Sequence, residues 1–178
     1  MQDILIVVDM QNDFIDGALG TGEAKKIVPK VKEKIQNFPG MVLFTRDTHE
    51  ENYLHTQEGR NLPVPHCIRG TQGWEIHSDL RELQGANIIR EPVDKGTFGS
   101  TDLGEILQEA DREEEIRTVT LIGLCTDICV ISNALLVKAF LPEAEIIVDA
   151  ACCAGVTPKS HQTALEAMQS CQIRVENA

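Results

Sequence analysis

The sequence predicts a three-layer α/β/α fold, in which helices cover both faces of a Rossmann-like, mostly parallel six-stranded sheet. Three observations support this prediction. Short apolar, β-branched segments alternate along the chain with longer segments of helical periodicity, which is typical of a parallel sheet packed between helices. A length of 178 residues is that of one domain. The sequence contains no internal repeat and no interdomain linker, so residues 1–178 are expected to form a single domain.

The predicted strands are short segments rich in apolar residues. Residues 119–122, for example, are apolar or β-branched throughout and too few for an amphipathic helix, so they predict a strand buried on both faces. The predicted strands cover residues 3–10, 41–45, 87–90, 119–122, 145–149 and 172–176.

The predicted helices carry regularly spaced apolar residues and residues typical of helix ends. Pro39-Gly40 ends the first long helix, and Pro158 occupies the first position of the last one. Thr126 and Asp127 supply side-chain oxygens suited to capping a helix that begins at Ile128. The predicted helices cover residues 23–38, 76–83, 101–110, 128–140 and 158–170.

Composition and charge limit the possible functions. Acidic residues outnumber basic ones by 28 to 16, and the net charge of −12 argues against nucleic acid or an anionic membrane as a partner. No apolar run approaches the length of a membrane span, and the N-terminus lacks the basic region of a signal peptide. The six cysteines lack the spacing of a disulfide framework, so reduced thiols in a cytoplasmic protein are expected.

Four chemically active residues are predicted at one edge of the sheet. Ligands of parallel α/β sheets bind beyond the carboxyl ends of the strands. Asp9, Asp47 and Cys129 lie at such ends, and Lys95 is expected in a loop after the third strand. Residues far apart in the sequence are therefore expected to converge on one site.

Cys129 is a candidate nucleophile because it falls in the first turn of a predicted helix. Backbone N–H groups and the positive end of the helix dipole there favour a thiolate and an oxyanion. An Asp9 carboxylate could take the thiol proton and later return it to a leaving amine, and a Lys95 ammonium could stabilise both anions. Each residue also has a structural explanation: Cys129 and Cys125 as small buried apolar side chains, Asp9 as a turn cap and Lys95 as a solvated lysine.

A metal site is predicted around Asp47 and His49. An aspartate and a histidine two positions apart can face one ion, and His66 or His55 from the long polar segment that follows can complete the site. Cys67 is an alternative thiolate ligand, but neighbouring side chains of an extended chain point apart, so His66 is favoured. Oxygen and imidazole ligands suit a divalent ion, with zinc favoured over manganese or iron. The remaining histidines, at positions 77 and 161, lie on predicted helices and are expected to be surface or packing residues.

Five motifs occur in order along the chain. They are Asp9-Met-Gln-Asn-Asp-Phe14, Asp47-Thr-His49, Pro65-His66-Cys67-Ile68, Lys95-Gly96-Thr97-Phe98 and Gly123-Leu-Cys-Thr-Asp-Ile-Cys-Val130. Together they resemble the isochorismatase-like cysteine hydrolases and, within that superfamily, most resemble the nicotinamidases. The resemblance covers nearly the whole chain, so it is more specific than any single motif.

The resemblance implies a catalytic role for residues in three of these motifs. Cys129 would be the nucleophile, Asp9 the general base and acid, and Lys95 the charge that tunes both. The peptide bond between Leu124 and Cys125 would be cis, so that the Cys125 N–H and the Cys129 N–H form an oxyanion hole. The implied reaction is hydrolysis of a small carboxamide through a thioester.

The resemblance also implies how a metal and a substrate ring are bound. Asp47, His49 and His66 would bind the metal, with His55 at the position of an additional histidine found in some nicotinamidases. The metal would hold the pyridine nitrogen, and Phe14 would stack against the ring. Such enzymes commonly form dimers or tetramers, so a homo-oligomer is expected.

One departure from the nicotinamidase pattern concerns the substrate. Nicotinamidases commonly carry an aromatic residue shortly before the Pro-His pair, whereas this chain has Asn61-Leu62-Pro63-Val64 there. Leu62 or Phe98 could take its place against the ring, or the substrate could be another small amide or ureide. A non-catalytic metal-binding or thiol-sensing protein with the same fold is the alternative from another class.

Overall fold

The computed structural model describes all residues except Gln84, Ala86 and Arg90. The strands of the described residues are β1 (Gln2–Val8), β2 (Met41–Asp47), β3 (Val93–Lys95), β4 (Ile116–Leu124), β5 (Glu145–Ala154) and β6 (Arg174–Glu176). They form one sheet in the order β3-β2-β1-β4-β5-β6, and every neighbouring pair is parallel. The predicted parallel α/β fold is therefore confirmed.

Helices connect the strands. They are α1 (Asn12–Ile15), α2 (Gly22–Asn37), α3 (Gln57–Asn61), α4 (Ser78–Arg81), α5 (Thr101–Glu113), α6 (Ile131–Phe140) and α7 (Pro158–Ser170), with a 3₁₀ turn at Tyr53–His55 and a π-helical turn at Thr126–Val130. The side chains of Thr21, Ser100 and Thr157 accept backbone N–H groups at the starts of α2, α5 and α7. These caps account for helix starts close to the predicted ones.

The core consists of two apolar layers, one on each face of the sheet. Along β1, Ile4 and Ile6 face the layer formed with α5, α6 and α7, whereas Leu5 and Val7 face the layer formed with α2 and α4. Burial on both faces explains why the central strands are continuously apolar rather than alternating. The helices thus cover both faces, as predicted.

The strand order reverses direction between β1 and β4. From β1 the chain passes to β2 and β3 on one side of the sheet, and from β4 to β5 and β6 on the other. Such a switch point opens a crevice at the carboxyl ends of the two central strands. Asp9 follows β1, and the turn that carries Cys129 follows β4, so both face this crevice.

The predicted third strand, residues 87–90, is wrong in position. Ile88 makes only an isolated parallel bridge with Val42, and Arg90 lies outside the described residues. The strand next to β2 is instead Val93–Lys95, which pairs with Thr45, Arg46 and Asp47. The apolar pair Ile88-Ile89 favoured a strand locally, but extended pairing with the edge of β2 occurs five residues further on. Lys95 is consequently part of a strand, directly opposite Asp47, and not in a loop.

Several further boundaries differ from the prediction. β4 begins at Ile116 rather than at position 119, and β5 continues to Ala154 rather than ending at position 149. The helix expected at residues 76–83 is a single turn, Ser78–Arg81, and the last strand begins at Arg174 rather than at position 172.

Within the described part of the chain, no helix combines the length and apolar character that a membrane span requires.

Candidate active site and metal-binding cluster

Three strand ends bring Asp9, Lys95 and Cys129 into contact. Lys95 Nζ lies 2.6 Å from Asp9 Oδ2 and 3.4 Å from Cys129 Sγ. All three side chains are buried. The sequence placed these residues at one edge of the sheet, and the structure brings them to one point.

The pKa values of the three groups are dominated by burial. Burial raises the pKa of the Asp9 carboxyl, against the opposing effect of the Lys95 charge. Burial would lower the pKa of Lys95, but the Asp9 carboxylate and the Cys129 sulfur outweigh it and hold the ammonium protonated. The buried site therefore contains one firmly held positive charge between two groups that can exchange a proton.

The expectation that the Cys129 thiol ionises easily is wrong. Burial raises its pKa well above the usual value, the Asp9 carboxylate raises it further, and Lys95 only partly opposes them. The position after a strand suggested exposed helix N–H groups, but the residue is buried, and desolvation disfavours the thiolate. A protonated resting thiol needs a base beside it. Asp9 Oδ2 fits that role, because it accepts no well-aligned hydrogen bond from any described residue.

The turn that carries Cys129 also differs from the predicted capped helix. The peptide bond between Leu124 and Cys125 is cis, as the resemblance implied, and Thr126–Val130 forms a π-helical turn before α6. Thr126 and Asp127 do not cap this turn. The Thr126 hydroxyl lies 2.7 Å from His161 Nδ1, and Asp127 Oδ1 accepts the Val156 N–H at 3.1 Å. Both side chains therefore bond to residues far along the chain instead of capping the helix locally. His161 packs against the turn through its contact with Thr126.

Asp47, at the end of β2, forms a buried cluster with His49 and His66, which lie in the segment that follows this strand. Their ligand atoms all lie within 4.8 Å of one another. His49 Nε2 lies 2.9 Å from Asp47 Oδ2, and His66 Nε2 lies 3.6 Å from the same oxygen. One carboxylate oxygen and two imidazole nitrogens suit zinc or a similar divalent ion.

Hydrogen bonding within the cluster also fits a metal. His49 Nε2 is buried and, although it lies close to Asp47 Oδ2, makes no well-aligned hydrogen bond with any described residue. His66 Nδ1 lies 2.8 Å from the Val64 carbonyl oxygen, which can only accept, so Nδ1 carries the proton and Nε2 is left for a ligand bond. Burial would raise the pKa of Asp47, but the neighbouring imidazoles of His49 and His66 and the Lys95 charge lower it. The donor set is therefore an ionised oxygen and two imidazole nitrogens.

His55 is not part of this cluster. It ends the 3₁₀ turn Tyr53–His55, which directs Tyr53 inwards and leaves His55 exposed. The Tyr53 ring centroid lies 4.7 Å from that of His49 and 5.0 Å from that of His66. The spacing of His55 from the other ligands was compatible with a metal site, but the turn points its side chain towards solvent.

The sequence analysis did not identify two residues near the candidate metal-binding cluster, Glu58 and Tyr53. Glu58 Oε1 lies 3.6 Å from His49 Nε2 and 4.0 Å from His66 Nε2, so it can supply a further oxygen. Tyr53 packs on both imidazoles and donates its hydroxyl to the Leu62 carbonyl at 2.9 Å. One sequence feature could have indicated Glu58: it is a carboxylate just after the helix-capping Thr56, in the long polar segment between His49 and His66.

Cys129 and two residues of the candidate metal-binding cluster, Asp47 and His66, line one cavity of about 260 Å³. Cys125, next to the cis peptide bond, lines the same cavity. All three predicted substrate contacts, Phe14, Leu62 and Phe98, also line this cavity. The Phe14 ring lies 5.5 Å from the His66 ring, whereas Leu62 and Phe98 are 38% and 43% exposed at the mouth. The arrangement can hold a flat ring between a metal and a thiol.

Comparison with known proteins identifies the family. A model of the isochorismatase domain matches residues 3–178. The chain belongs to the isochorismatase family. It is 33% identical over 178 residues to an isochorismatase family protein of Bacillus subtilis, with 93% of each chain covered. It is 30% identical over 174 residues to a nicotinamidase of Acinetobacter baylyi, with 82% of this chain and 79% of the relative covered.

A solved structure is also similar to this chain over nearly its whole length. The pyrazinamidase of Pyrococcus horikoshii, in complex with zinc, is 35% identical with a TM-score of 0.79, and the match covers 98% of each chain. The fold and the arrangement of the sheet are therefore those of a hydrolase family with nicotinamidase-like members.

Proposed function

We propose that this chain is a metal-containing nicotinamidase, which hydrolyses nicotinamide to nicotinate and ammonia through a thioester on Cys129. One observation carries the proposal: a single cavity is lined by Cys129, whose thiol lies beside the buried Lys95–Asp9 pair, and by Asp47 and His66 of the candidate metal-binding cluster. Nicotinamide has one group for each of these two sets of residues, a carboxamide and a pyridine nitrogen. The relatives named nicotinamidase and pyrazinamidase support the same substrate class.

The first half of the reaction forms the thioester. Asp9 takes the proton of the Cys129 thiol, and the thiolate attacks the carboxamide carbon. The backbone N–H groups of Cys125 and Cys129 stabilise the oxyanion of the tetrahedral intermediate. Asp9 then returns the proton to the departing nitrogen, the C–N bond breaks, and ammonia leaves.

The second half consumes one water molecule. Asp9 takes a proton from the water, whose oxygen attacks the thioester carbon. The C–S bond then breaks and Asp9 gives that proton to the leaving sulfur, which regenerates the Cys129 thiol and the Asp9 carboxylate. Lys95 stays protonated throughout, because its ammonium lies beside two anionic groups. Its role is to stabilise the Asp9 carboxylate and the thiolate.

The substrate ring is held between the metal cluster and apolar side chains. A divalent ion, with zinc favoured over manganese or iron, would coordinate the pyridine nitrogen and so orient the carboxamide towards Cys129. Asp47, His49 and His66 would bind that ion, with Glu58 as a further oxygen donor. Phe14 contacts one face of the ring, and Leu62 and Phe98 close the mouth of the cavity.

A related amidase that acts on another small amide or ureide is the second candidate. One feature favours it. Nicotinamidases commonly carry an aromatic residue shortly before the Pro-His pair, whereas this chain has the aliphatic Leu62 in that segment, at the mouth of the cavity. A leucine leaves one face of a ring less well covered than an aromatic side chain. The triad chemistry is the same in both candidates.

Ammonia release from nicotinamide tests the proposal. Zinc-loaded protein should release ammonia, whereas Cys129→Ala and protein treated with a chelator should not. Cys171→Ala is the matched control, because Cys171 is exposed and lies on the C-terminal side of α7. Release by the Cys129→Ala variant would overturn the thioester mechanism. No release by the zinc-loaded wild type, with Cys129 still alkylated, would favour another amide as the substrate.

A further inference from the structure

The Thr45 hydroxyl contacts Asp9 twice. Thr45 Oγ1 donates to Asp9 Oδ1 at 2.7 Å and accepts the Asp9 backbone N–H at 3.3 Å. Both residues are fully buried. A single hydroxyl on β2 therefore holds the backbone and the side chain of a residue that follows β1.

The backbone of Asp9 explains why such support is needed. Its φ is +48°, in the left-handed region that residues other than glycine seldom adopt. The pairing of β1 with β2 ends at Val7 and Phe44, so the Asp9 N–H lies beyond the sheet ladder between them. The Thr45 hydroxyl supplies the acceptor that this buried N–H needs.

The two oxygens of the Asp9 carboxylate have different surroundings. Oδ1 accepts the Thr45 hydroxyl, whereas Oδ2 lies 2.6 Å from Lys95 Nζ and accepts no well-aligned hydrogen bond from the described residues. The same ammonium contacts Cys129 Sγ, so Lys95 links Oδ2 to the Cys129 thiol. Rotation of a carboxylate about its terminal bond is soft, and the Thr45 hydroxyl restricts it.

We infer that Thr45 is a positioning residue, whose hydroxyl anchors Oδ1 of Asp9 so that Oδ2 remains directed at the Cys129 thiol. The inference rests on the proposed roles of Asp9 and Cys129. It adds a residue that contacts neither substrate nor metal and acts only through the base. A hydrogen bond to a charged group is among the stronger interactions of a protein interior, so its removal has a measurable effect.

Thr45→Val removes the hydroxyl and keeps the shape of the side chain. We expect kcat for nicotinamide to fall by about 10- to 100-fold, with KM changed by no more than about twofold. Thr45→Ser, which restores the hydroxyl, should recover most of kcat. Thr120→Val, at another buried threonine of the sheet, is the matched control and should leave kcat near that of the wild type. An unchanged kcat in Thr45→Val, or a Thr45→Ser variant as slow as Thr45→Val, would overturn the inference.

Alkylation of Cys129 by iodoacetamide provides a second measurement that needs no substrate. Peptide mapping separates Cys129 from the other thiols, and its alkylation should slow in Thr45→Val by a factor similar to that in kcat. In an Asp9→Asn background, Thr45→Val should slow alkylation no further, because the hydroxyl acts through the carboxylate. An equal slowing in both backgrounds would contradict the inference. Thr45→Ala serves if the valine variant does not fold.

These measurements separate the inference from the proposed function. If the wild type releases no ammonia from nicotinamide, the proposed function fails, but the alkylation rates still decide whether Thr45 acts on Asp9. If nicotinamide is hydrolysed and alkylation does not depend on Thr45, the inference fails and the proposed function stands.

Discussion

Lys95 Nζ donates a hydrogen bond of 3.2 Å to Asp47 Oδ1, and this contact joins the candidate triad to the metal-binding cluster. The other oxygen of Asp47 faces His49 and His66. Because β3 pairs with β2 at these two residues, the sheet itself sets the distance between the Lys95 ammonium and the Asp47 carboxylate. One lysine therefore forms ion pairs with two buried carboxylates, Asp9 and Asp47.

Replacement of Lys95 should be strongly destabilising. Lys95→Met leaves two buried carboxylates without their cation, which we expect to lower the free energy of unfolding by about 3–5 kcal/mol. Urea unfolding of the metal-free protein measures this loss. Lys26→Met is the control, because Lys26 is 77% exposed in its ion pair with Glu23 and should contribute little. A loss below about 1 kcal/mol for Lys95→Met would contradict the assigned charge balance.

Zinc binding should depend on His49 and not on His55. His49→Ala removes a nitrogen that faces the cluster, so we expect a loss of zinc affinity beyond the ~10- to 100-fold typical of outer-shell changes. His55→Ala should bind zinc like the wild type, because His55 is exposed and outside the cluster. Competition with a zinc chelator at neutral pH measures both variants. Equal losses in the two variants would show that His55 is a ligand after all.

Gln11 should support the metal site through the backbone of Asp47. Its Nε2 donates to the carbonyls of Asp47 and Trp74, both at 2.8 Å, and its Oε1 accepts the Asp47 N–H at 2.8 Å. Gln11→Leu should weaken zinc binding by about tenfold, because the ligand loses its anchor. Isothermal titration with zinc measures the change. The neighbouring Asn12→Leu, which removes one surface hydrogen bond, is the control, and a similar loss in both variants would argue against a specific role of Gln11.

Activity should be lost as the pH is lowered, and this loss should occur at a higher pH than the pKa of an exposed aspartate would predict. Burial raises the pKa of Asp9 above the ordinary value of 3.8, and only the ionised form can take the thiol proton. As the pH falls through this raised pKa, Asp9 becomes protonated and kcat/KM should fall with it. Rates between about pH 4 and about pH 8 measure this limb. A constant kcat/KM down to about pH 4 would mean that Asp9 is not the base.

The cavity mouth should accept an aromatic residue in place of Leu62. Leu62→Trp offers a second flat surface against the pyridine ring, and we expect KM for nicotinamide to fall by about 2- to 10-fold, since an aromatic pair contributes ~0.5–1.5 kcal/mol. Steady-state kinetics with zinc-loaded protein tests this. Leu54→Trp is the control, because Leu54 is similarly exposed but does not line the cavity. A higher KM in Leu62→Trp would favour a substrate other than nicotinamide.

Much of the fold could be predicted because it depends on local patterns. The apolar runs of β1, β2, β4 and β5 predicted strands close to their observed positions, and Pro158 correctly marked the start of α7. The strand opposite β2 could not be placed in this way. Its position depends on hydrogen bonding between Val93–Lys95 and a distant edge of the sheet, and the more apolar Ile88-Ile89 gave the stronger local signal.

The sequence by itself determined which residues could reach the site, since the carboxyl ends of parallel strands meet at one edge. Asp9, Asp47 and Cys129 needed only that rule and the motifs around them. Tertiary structure decided the chemistry of the site. Burial raises the pKa of the Cys129 thiol, Glu58 approaches the two histidines, and a 3₁₀ turn directs His55 into solvent. These features depend on distance and desolvation between segments far apart in the chain, and no local pattern encodes them.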